Sequence, residues 1–506
     1  LNSENKNIIR HFLEASVSFP ENIAIAGNQK IIYSELLIKV KSRSACFTKK
    51  GIQKGDRVLV FVPMSEELYI NLLALFYIGA VPVFVDEWVN KQRLELCCSI
   101  ASCKAFIAPL KFRMVALFFR EIRKIPVWLK PDGYNSGKSE ECAICDKNDP
   151  ALITFTTGST GTPKAAIRTH GILNAQFAAL KEKTGISSSD TVMTTLPIVL
   201  LINLGCGAAS VMAEFKPAKP WKLNTDLINE QLNKFSVSIL IASPFFLLEL
   251  CKNKSDHVKL KKIYTGGAPV FPSDAEKIIN TFPAAGIEII FGSTEAEPIS
   301  GVNAIDLAAS LPQLESNGLL AGKINKVAEV EIIKITDSPI GEIHLNDWEK
   351  LKAEKNNWGE IVVSGEHVVK NYLANETAFR ENKIVVENTI WHRTGDAGRI
   401  DKNGNLWLAG RCKQIFFNNE KMISPFIYEG ILKNINGISN GTVLKKNNKM
   451  VIVAEKEKDT EENLIKKELI KSKIIFDEII YLRSLPKDPR HFSKIDYDKL
   501  KQIISF

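Results

Sequence analysis

An α/β fold with a large first domain and a small second one is predicted by three observations. Runs of continuous apolar residues alternate with helical patterns over the first two thirds of the chain. The pattern changes to short, turn-bounded strands from about Val330. The length, 506 residues, also exceeds what one hydrophobic core organises. Strands that are apolar throughout, rather than alternating, belong to a sheet covered on both faces. Residues 58–62, 81–85, 237–242, 262–265 and 287–291 have this character. Ser65-Glu-Glu opens an apolar helix that ends near Gly79, and residues 245–251 form another. Further on, residues 341–345, 359–364 and 401–408 predict an antiparallel, barrel-like portion, with the polar stretch 350–357 as a surface loop. After Gly410-Arg411 comes a smaller α+β segment, rich in Lys and Glu around 445–473, whose charges make a solvated face. The division is placed at residues 1–410 and 411–506.

Apolar residues make up 45% of the chain and charged residues 24%, an ordinary globular balance. The net charge of +9 is spread along the chain rather than gathered in an Arg-rich arm. That favours anionic small ligands over nucleic acid. Nine cysteines are scattered, and Cys142-Ala-Ile-Cys145 has no second pair or nearby His to complete a zinc set. Reduced thiols in a cytoplasmic protein are therefore expected. The first residues lead into no apolar signal core. Neither long apolar stretch predicts a membrane span. Residues 68–85 contain Asn71, Gly79 and Pro82; residues 198–213 contain Asn203 and two glycines and fall short of the ~20 residues a span needs.

The densest chemistry lies in Thr156-Thr-Gly-Ser-Thr-Gly-Thr-Pro-Lys164, directly after the apolar run 151–155. Gly158 and Gly161 allow tight turns, so that several backbone N–H groups converge on one anion. The hydroxyls of Thr156, Thr157, Ser159, Thr160 and Thr162 add donors, and Lys164 adds a charge. This is a phosphate cradle rather than a polar surface turn. The GxxGxxK spacing, with no Gly-Lys-Ser/Thr, separates it from a Walker loop.

The loop resembles that of the adenylate-forming superfamily of acyl-CoA synthetases, peptide-synthetase adenylation domains and luciferases, with Ala165 where the family usually has Gly. The resemblance runs from Tyr33-Ser-Glu-Leu36 to Lys494 in the family's order. Phe291-Gly292-Ser-Thr-Glu295 is similar to the family's Tyr-Gly-x-Thr-Glu. This implies that Phe291 stacks on adenine, Thr294 contacts the α-phosphate and Glu295 holds a Mg2+ that bridges phosphate oxygens. Gly266, Gly267 and Ala268 resemble the segment whose backbone lines the adenine pocket. Asp396 of Thr394-Gly-Asp396 would accept from both ribose hydroxyls, and Arg411 of Gly410-Arg411 would contact the nucleotide; structural turn and salt-bridge roles are the alternative. Lys413 sits where the family has its hinge residue. In the terminal run Pro486-Lys-Asp-Pro-Arg-His-Phe-Ser-Lys-Ile495, Lys494 matches the lysine that reaches the carboxylate and α-phosphate, with Lys487 and Lys499 as alternatives. His491 is a local helper, and His170 and His392 are structural.

The resemblance implies two αβ-sandwich subdomains plus a small β-barrel, followed by a mobile α+β C-terminal domain. It also implies ATP and Mg2+ as cofactors, a small carboxylic acid substrate and an AMP-forming synthetase of acid–thiol ligase type. Acyl transfer to coenzyme A is the broad expectation for the second half-reaction, with an acyl carrier protein as an alternative partner. Two departures bear on it. The Pro-aromatic-His segment that gates the acyl tunnel is represented by Pro197-Ile-Val-Leu-Leu-Ile-Asn203, and the glycine-containing stretch after the hinge by Phe416-Phe-Asn-Asn-Glu-Lys-Met422. Olefin β-lactone synthetases, which close a β-hydroxy acyl-adenylate on its own hydroxyl, carry similar segments to 79–86, 267–272 and Asp488–Ile495. The aliphatic lining suits a medium or long acyl chain. No Asp occurs in 236–241, where amino-acid-activating relatives place an ammonium partner. A non-catalytic nucleotide- or acyl-binding relative would not need Lys164, Glu295, Asp396, Arg411 and Lys494 together.

Overall fold

Residues 4–27, 29–85, 90–133, 141–156, 163–215, 219–253, 260–418, 421–458, 460–472, 474–488 and 492–504 are described in a computed structural model of the chain. The continuous apolar runs become strands because each buries both faces. In the strand Arg57–Val60, Val58 and Val60 enter one core with the helix Glu66–Tyr77, while Leu59 enters another with Cys97 and Cys98. Each such side chain, fully buried, contributes roughly 1.5–3 kcal/mol.

Among the described residues, two large sheets follow. In the first, Arg57–Val60, Val81–Phe84, Ala105–Ile107, Val127–Leu129 and Pro150–Thr156 run parallel. Lys164–Thr169 and then Asn371–Tyr372 are added antiparallel. The second contains fifteen strands. Its parallel strands Ala209–Met212, Thr191–Thr194, Ile239–Ala242, Lys262–Gly266 and Gly286–Ser293 lie side by side. A hairpin with Ala296–Asn303 then reverses the chain. From there the ladder continues antiparallel through Leu319–Ile324, Asn405–Arg411, Thr389–Ile400, Gly359–Ser364 and Glu329–Ile333.

Of the polar residues that argued against a membrane span, Asn71 has core partners, while the Asn203 amide is buried without a hydrogen-bond partner among the described residues. Asn71, inside the Glu66–Tyr77 helix, accepts from Arg43 Nε at 2.8 Å and donates to the carbonyls of Glu67 and Pro131. Among the described residues, no helix is long and apolar enough to cross a membrane. The expected loop 350–357 begins inside a helix, Leu345–Leu351, because Trp348 is buried against Trp391. Gly341–Ile343 forms a strand as expected but pairs parallel, with Lys383–Val386.

The C-terminal elements build their own three-stranded sheet from Ile438–Lys446, Lys449–Lys456 and Glu478–Leu482. Helices Pro425–Leu432, Glu462–Lys471 and Tyr497–Ile503 accompany it. At its centre the Glu429 carboxylate is buried and accepts from Thr442 Oγ1 at 3.1 Å and from the Tyr497 hydroxyl. Burial raises this carboxyl from its ordinary 4.5 to about 7, against the opposing pull of those two hydrogen bonds.

An acid with a raised folded-state pKa binds its proton more tightly when folded. Its contribution is therefore complete below 4.5, is lost as pH rises to about 7 and stays level above that. The full span is at most about 3 kcal/mol. Glu429→Gln is expected to flatten the fall in unfolding midpoint across that window, measured by thermal melts at several pH values; equal slopes would show that Glu429 does not titrate there.

Candidate active site

Thr294 and Glu295 form the tip of the hairpin between Gly286–Ser293 and Ala296–Asn303, with Ser293 paired to Ala296. Ser293 Oγ accepts from Ala296 N at 3.2 Å and tightens the reversal. The other sheet clamps this tip. Arg168, on the strand Lys164–Thr169, donates from Nη2 to the Thr294 carbonyl at 2.7 Å and from Nη1 to Thr154 Oγ1 at 2.6 Å. Val369 N, just before the strand that pairs with Lys164–Thr169, donates to the Glu295 carbonyl at 2.7 Å.

The Glu295 side chain is buried among cations. Lys164 Nζ donates to Asn382 Oδ1 at 2.7 Å and lies 5.9 Å from the Tyr372 ring. Burial draws Lys164 below the ordinary lysine range; Glu295 and Glu381 pull it back up, and Arg411 and Lys413 press it further down. Lys383 is wholly buried, donates to the Val369 carbonyl and sits 5.4 Å from the same ring. Burial lowers it to about 7, with Glu295 opposing and Lys164 assisting. The Tyr372 phenol is pushed up by burial and then by the Glu295 carboxylate. His392 donates from Nδ1 to the Asn382 carbonyl at 3.2 Å, and burial followed by Lys383 holds it neutral. Glu295 thus acts electrostatically on both Lys164 and Lys383.

The remaining candidate residues lie as follows. Gly266 pairs with Ile290, and a Cβ on it would stand 2.5 Å from the Ile290 carbonyl oxygen; Gly267 has φ of +83°. Ala268 follows in the same turn, and Phe291 and Gly292 are half-buried on the adjacent strand. Asp396 and Arg411 are register partners on neighbouring strands, with Nε and Oδ1 3.4 Å apart. Thr394 Oγ1 accepts from Asp396 N at 3.0 Å, and Arg411 Nη1 donates to the Thr394 carbonyl at 2.9 Å. Lys413 is exposed in the 3-10 turn Cys412–Gln414. Lys494 is half-buried, and its carbonyl accepts from Asp488 N at 2.8 Å. Its loop rests on the helix Pro244–Leu250. Ser493 Oγ accepts from Phe245 N at 3.1 Å, and the Phe492 ring meets Phe245 edge-on at 5.2 Å. Of the alternative lysines, Lys487 covers the Phe492 ring at 5.4 Å, and Lys499 is exposed on the final helix. Thr157, Gly158, Ser159, Thr160, Gly161, Thr162 and His491 lie outside the described residues, and of Thr156 only its strand pairing with Lys164 is described.

Sequence inspection had not singled out Arg168, Tyr372, Asn382 or Lys383. A faint trace existed: Arg168 and Lys383 are single cations beside apolar strand residues. His170 is structural, its Nδ1 accepting from Ile8 N at 3.1 Å. The donor set suits a magnesium-bound nucleotide. Glu295 could supply the carboxylate oxygens that a hard cation takes, Lys164 a positive charge and Asp396 a two-oxygen acceptor for a diol.

Residues 12–373 match the model of the family described as AMP-binding enzyme. An olefin beta-lactone synthetase of Stenotrophomonas maltophilia is 28% identical over 445 residues, covering 81% of this chain and 79% of that protein. 4-Coumarate:CoA ligase 1 of Petunia hybrida is 24% identical over 505 residues, covering 92% and 88%. The structure of O-succinylbenzoate coenzyme A synthetase from Bacillus subtilis, in complex with ATP and magnesium ion, superposes with a TM-score of 0.79 at 18% identity, covering 97% of this chain and 99% of that one.

Arg168→Met would leave the Thr294 carbonyl without its guanidinium and loosen the hairpin tip. A misplaced catalytic backbone costs up to about a hundredfold in rate. A loss of about that size in nucleotide-dependent turnover is expected with an unchanged circular dichroism spectrum. Full activity would show that the clamp is dispensable.

Proposed function

The chain belongs to the AMP-binding enzyme family, and on that premise we propose that it activates a long-chain β-hydroxy acid with ATP, releasing pyrophosphate, and then closes the acyl-adenylate into a β-lactone. The observation that carries the first half is the buried Glu295 at the clamped hairpin tip, whose charge is felt by Lys164. A buried carboxylate within the electrostatic reach of an ammonium suits a metal-bound polyphosphate far better than a neutral ligand.

In this reading the acid's carboxylate oxygen attacks the α-phosphorus in line. The new C–O–P linkage forms as the bond to the β-phosphate breaks, and negative charge grows on the α-phosphate oxygens. Mg2+ held by Glu295 would neutralise part of the polyphosphate charge. Thr294 would hold the α-phosphate, Phe291 would stack on adenine beside the bare backbone of Gly266, Gly267, Ala268 and Gly292, and Asp396 and Arg411 would hold the ribose end. Thr156 to Thr162 would cradle the phosphates. Lys494 would meet the charge that grows in the transition state, where fixed electrostatics contribute most. The docking of Ser493 and Phe492 on Phe245 supports this role, because it seats the lysine's loop against the larger part of the chain. We divide the chain into a nucleotide-binding portion, 1–410, and a lid, 411–506, hinged at Lys413.

In the second half-reaction the β-hydroxyl oxygen attacks the acyl carbonyl carbon, the bond to AMP breaks and the hydroxyl proton is released. The higher identity to a β-lactone synthetase than to a CoA ligase supports this choice. So does the segment after the hinge, where strands Phe416–Asn418 and Lys421–Ile423 carry bulky side chains, Phe417 among them exposed. Transfer to a thiol, of coenzyme A or an acyl carrier protein, is the second reading, supported by likeness to a CoA ligase over most of the chain. The mainly aliphatic helix Pro197–Gly205, whose Val199 packs with Phe177, Ile241 and Tyr264, supports an acyl rather than an amino acid substrate.

Acid-dependent exchange of labelled pyrophosphate into ATP is expected with β-hydroxy fatty acids, and its absence with every fatty or hydroxy fatty acid would refute the adenylation reading. Lys494→Ala is expected to lower exchange by a hundredfold or more while ATP still binds; an unchanged rate would point to another lysine. Mass spectrometry of products made with and without coenzyme A decides the second step. A lactone formed without it supports ring closure, and a thioester formed only with it overturns that choice.

A further inference from the structure

The segment 110–124, Leu-Lys-Phe-Arg-Met-Val-Ala-Leu-Phe-Phe-Arg-Glu-Ile-Arg-Lys, follows the strand Ala105–Ile107 and contains the short helices Leu110–Ala116 and Arg120–Arg123. One side of it is explained by packing. Phe112, Ala116 and Phe119, at i, i+4 and i+7, join Ile122 in the core that holds Cys97, Cys98 and Phe106. The other side should then be polar, as on any helix at the surface of a soluble protein. It is not. Leu110, Met114, Val115, Leu117 and Phe118 are each half or more exposed, Phe118 by 77%. Scattered exposed apolar residues need no explanation, but five large ones within nine residues form a patch.

The charges on the same segment point to the occupant. Lys111, Arg113, Arg120, Arg123 and Lys124 share the segment with a single acid, Glu121, which pairs with Lys124 at 2.7 Å and more loosely with Arg120 Nε at 3.9 Å. The nearby Glu95 carboxylate is taken up by the backbone N–H groups of Arg120 and Glu121, each at 2.7 Å. The patch therefore keeps a positive excess. The core of a protein–protein interface is depleted of charged residues, lysine among them, although Arg is enriched there. Exposed Leu, Met and Phe side chains interleaved with Lys and Arg are instead the composition that settles at a lipid headgroup boundary. There the apolar groups enter the acyl region and the cations remain on phosphates.

We infer that the 110–124 face seats the protein on an anionic phospholipid surface, with Met114, Leu117 and Phe118 inserted and Lys111, Arg120 and Arg123 on lipid phosphates. This is a reversible interfacial contact, distinct from a span, and it is independent of the adenylation chemistry. Each cation near such a surface strengthens binding by roughly fivefold.

The test is co-sedimentation of the full chain with vesicles of phosphatidylcholine alone or mixed with phosphatidylglycerol. Binding to the mixed vesicles should be at least tenfold tighter than to phosphatidylcholine and should weaken as salt is raised. A Leu117→Ser, Phe118→Ser double variant and a Lys111→Gln, Arg120→Gln, Arg123→Gln triple variant should each lose tenfold or more of that binding. Both should keep the parent's unfolding midpoint and its turnover of a water-soluble acid. Equal binding by either variant, no binding by the parent, or no preference for phosphatidylglycerol would overturn the inference. So would a dimer in sedimentation velocity that Phe118→Ser dissolves while vesicles stay unbound, since the face would then be an interface between copies of this chain.

Discussion

The Glu295 carboxylate is buried where the two large sheets meet, and much of the surrounding structure answers to that single charge. An isolated buried carboxylate costs several kcal/mol even after relaxation, so the fold must bring compensation to it. It does so from three separate parts of the chain. Lys164 comes from the strand Lys164–Thr169, Tyr372 from the short strand that pairs with it, and Lys383 from the strand beside Thr389–Ile400. Lys383 would itself be too costly to bury alone. It keeps its place by donating to the Val369 carbonyl, while Val369 N holds the Glu295 backbone. One residue thus links the cation to the anion it serves.

The same tip is where the parallel half of the larger sheet turns antiparallel. Two residues suffice for the reversal, and Arg168 reaches across from the other sheet to hold it. A carboxylate on a two-residue hairpin has little freedom, which would suit the proposed role of meeting a polyphosphate in one orientation. The histidines near this region are consistent with that economy. His170 and His392 are buried and kept neutral, so they add no charge to a balance already set by lysines and carboxylates.

Much of the architecture was legible before any coordinates. Runs such as 58–62 and 81–85 are apolar on both faces, and only a covered sheet accommodates that. Asn71 interrupts one long apolar stretch, and its buried partner Arg43 explains why the interruption is tolerated. Less visible was the helix Leu345–Leu351, because its polar residues mask one buried anchor, Trp348. The pairing of Gly341–Ile343 was hidden too: strand propensity carries no direction, and its partner Lys383–Val386 lies well downstream.

By itself the sequence determined that a Gly- and Thr-rich motif, a Thr-Glu motif, an Asp, an Arg and a terminal lysine follow one another in a fixed order, because those are local patterns of residue type. It also determined which runs enter the core, because periodicity is a property of neighbours along the chain. Tertiary structure alone decided that Lys383 and Tyr372 belong to Glu295, since residues 77 to 88 positions apart meet only when the sheets are assembled. It alone decided that Leu117 and Phe118 face outward, since they lie in the turn between two short helices, where helical periodicity says nothing about facing. Charge compensation and exposure are properties of three-dimensional surroundings, and those exist only once the chain has folded.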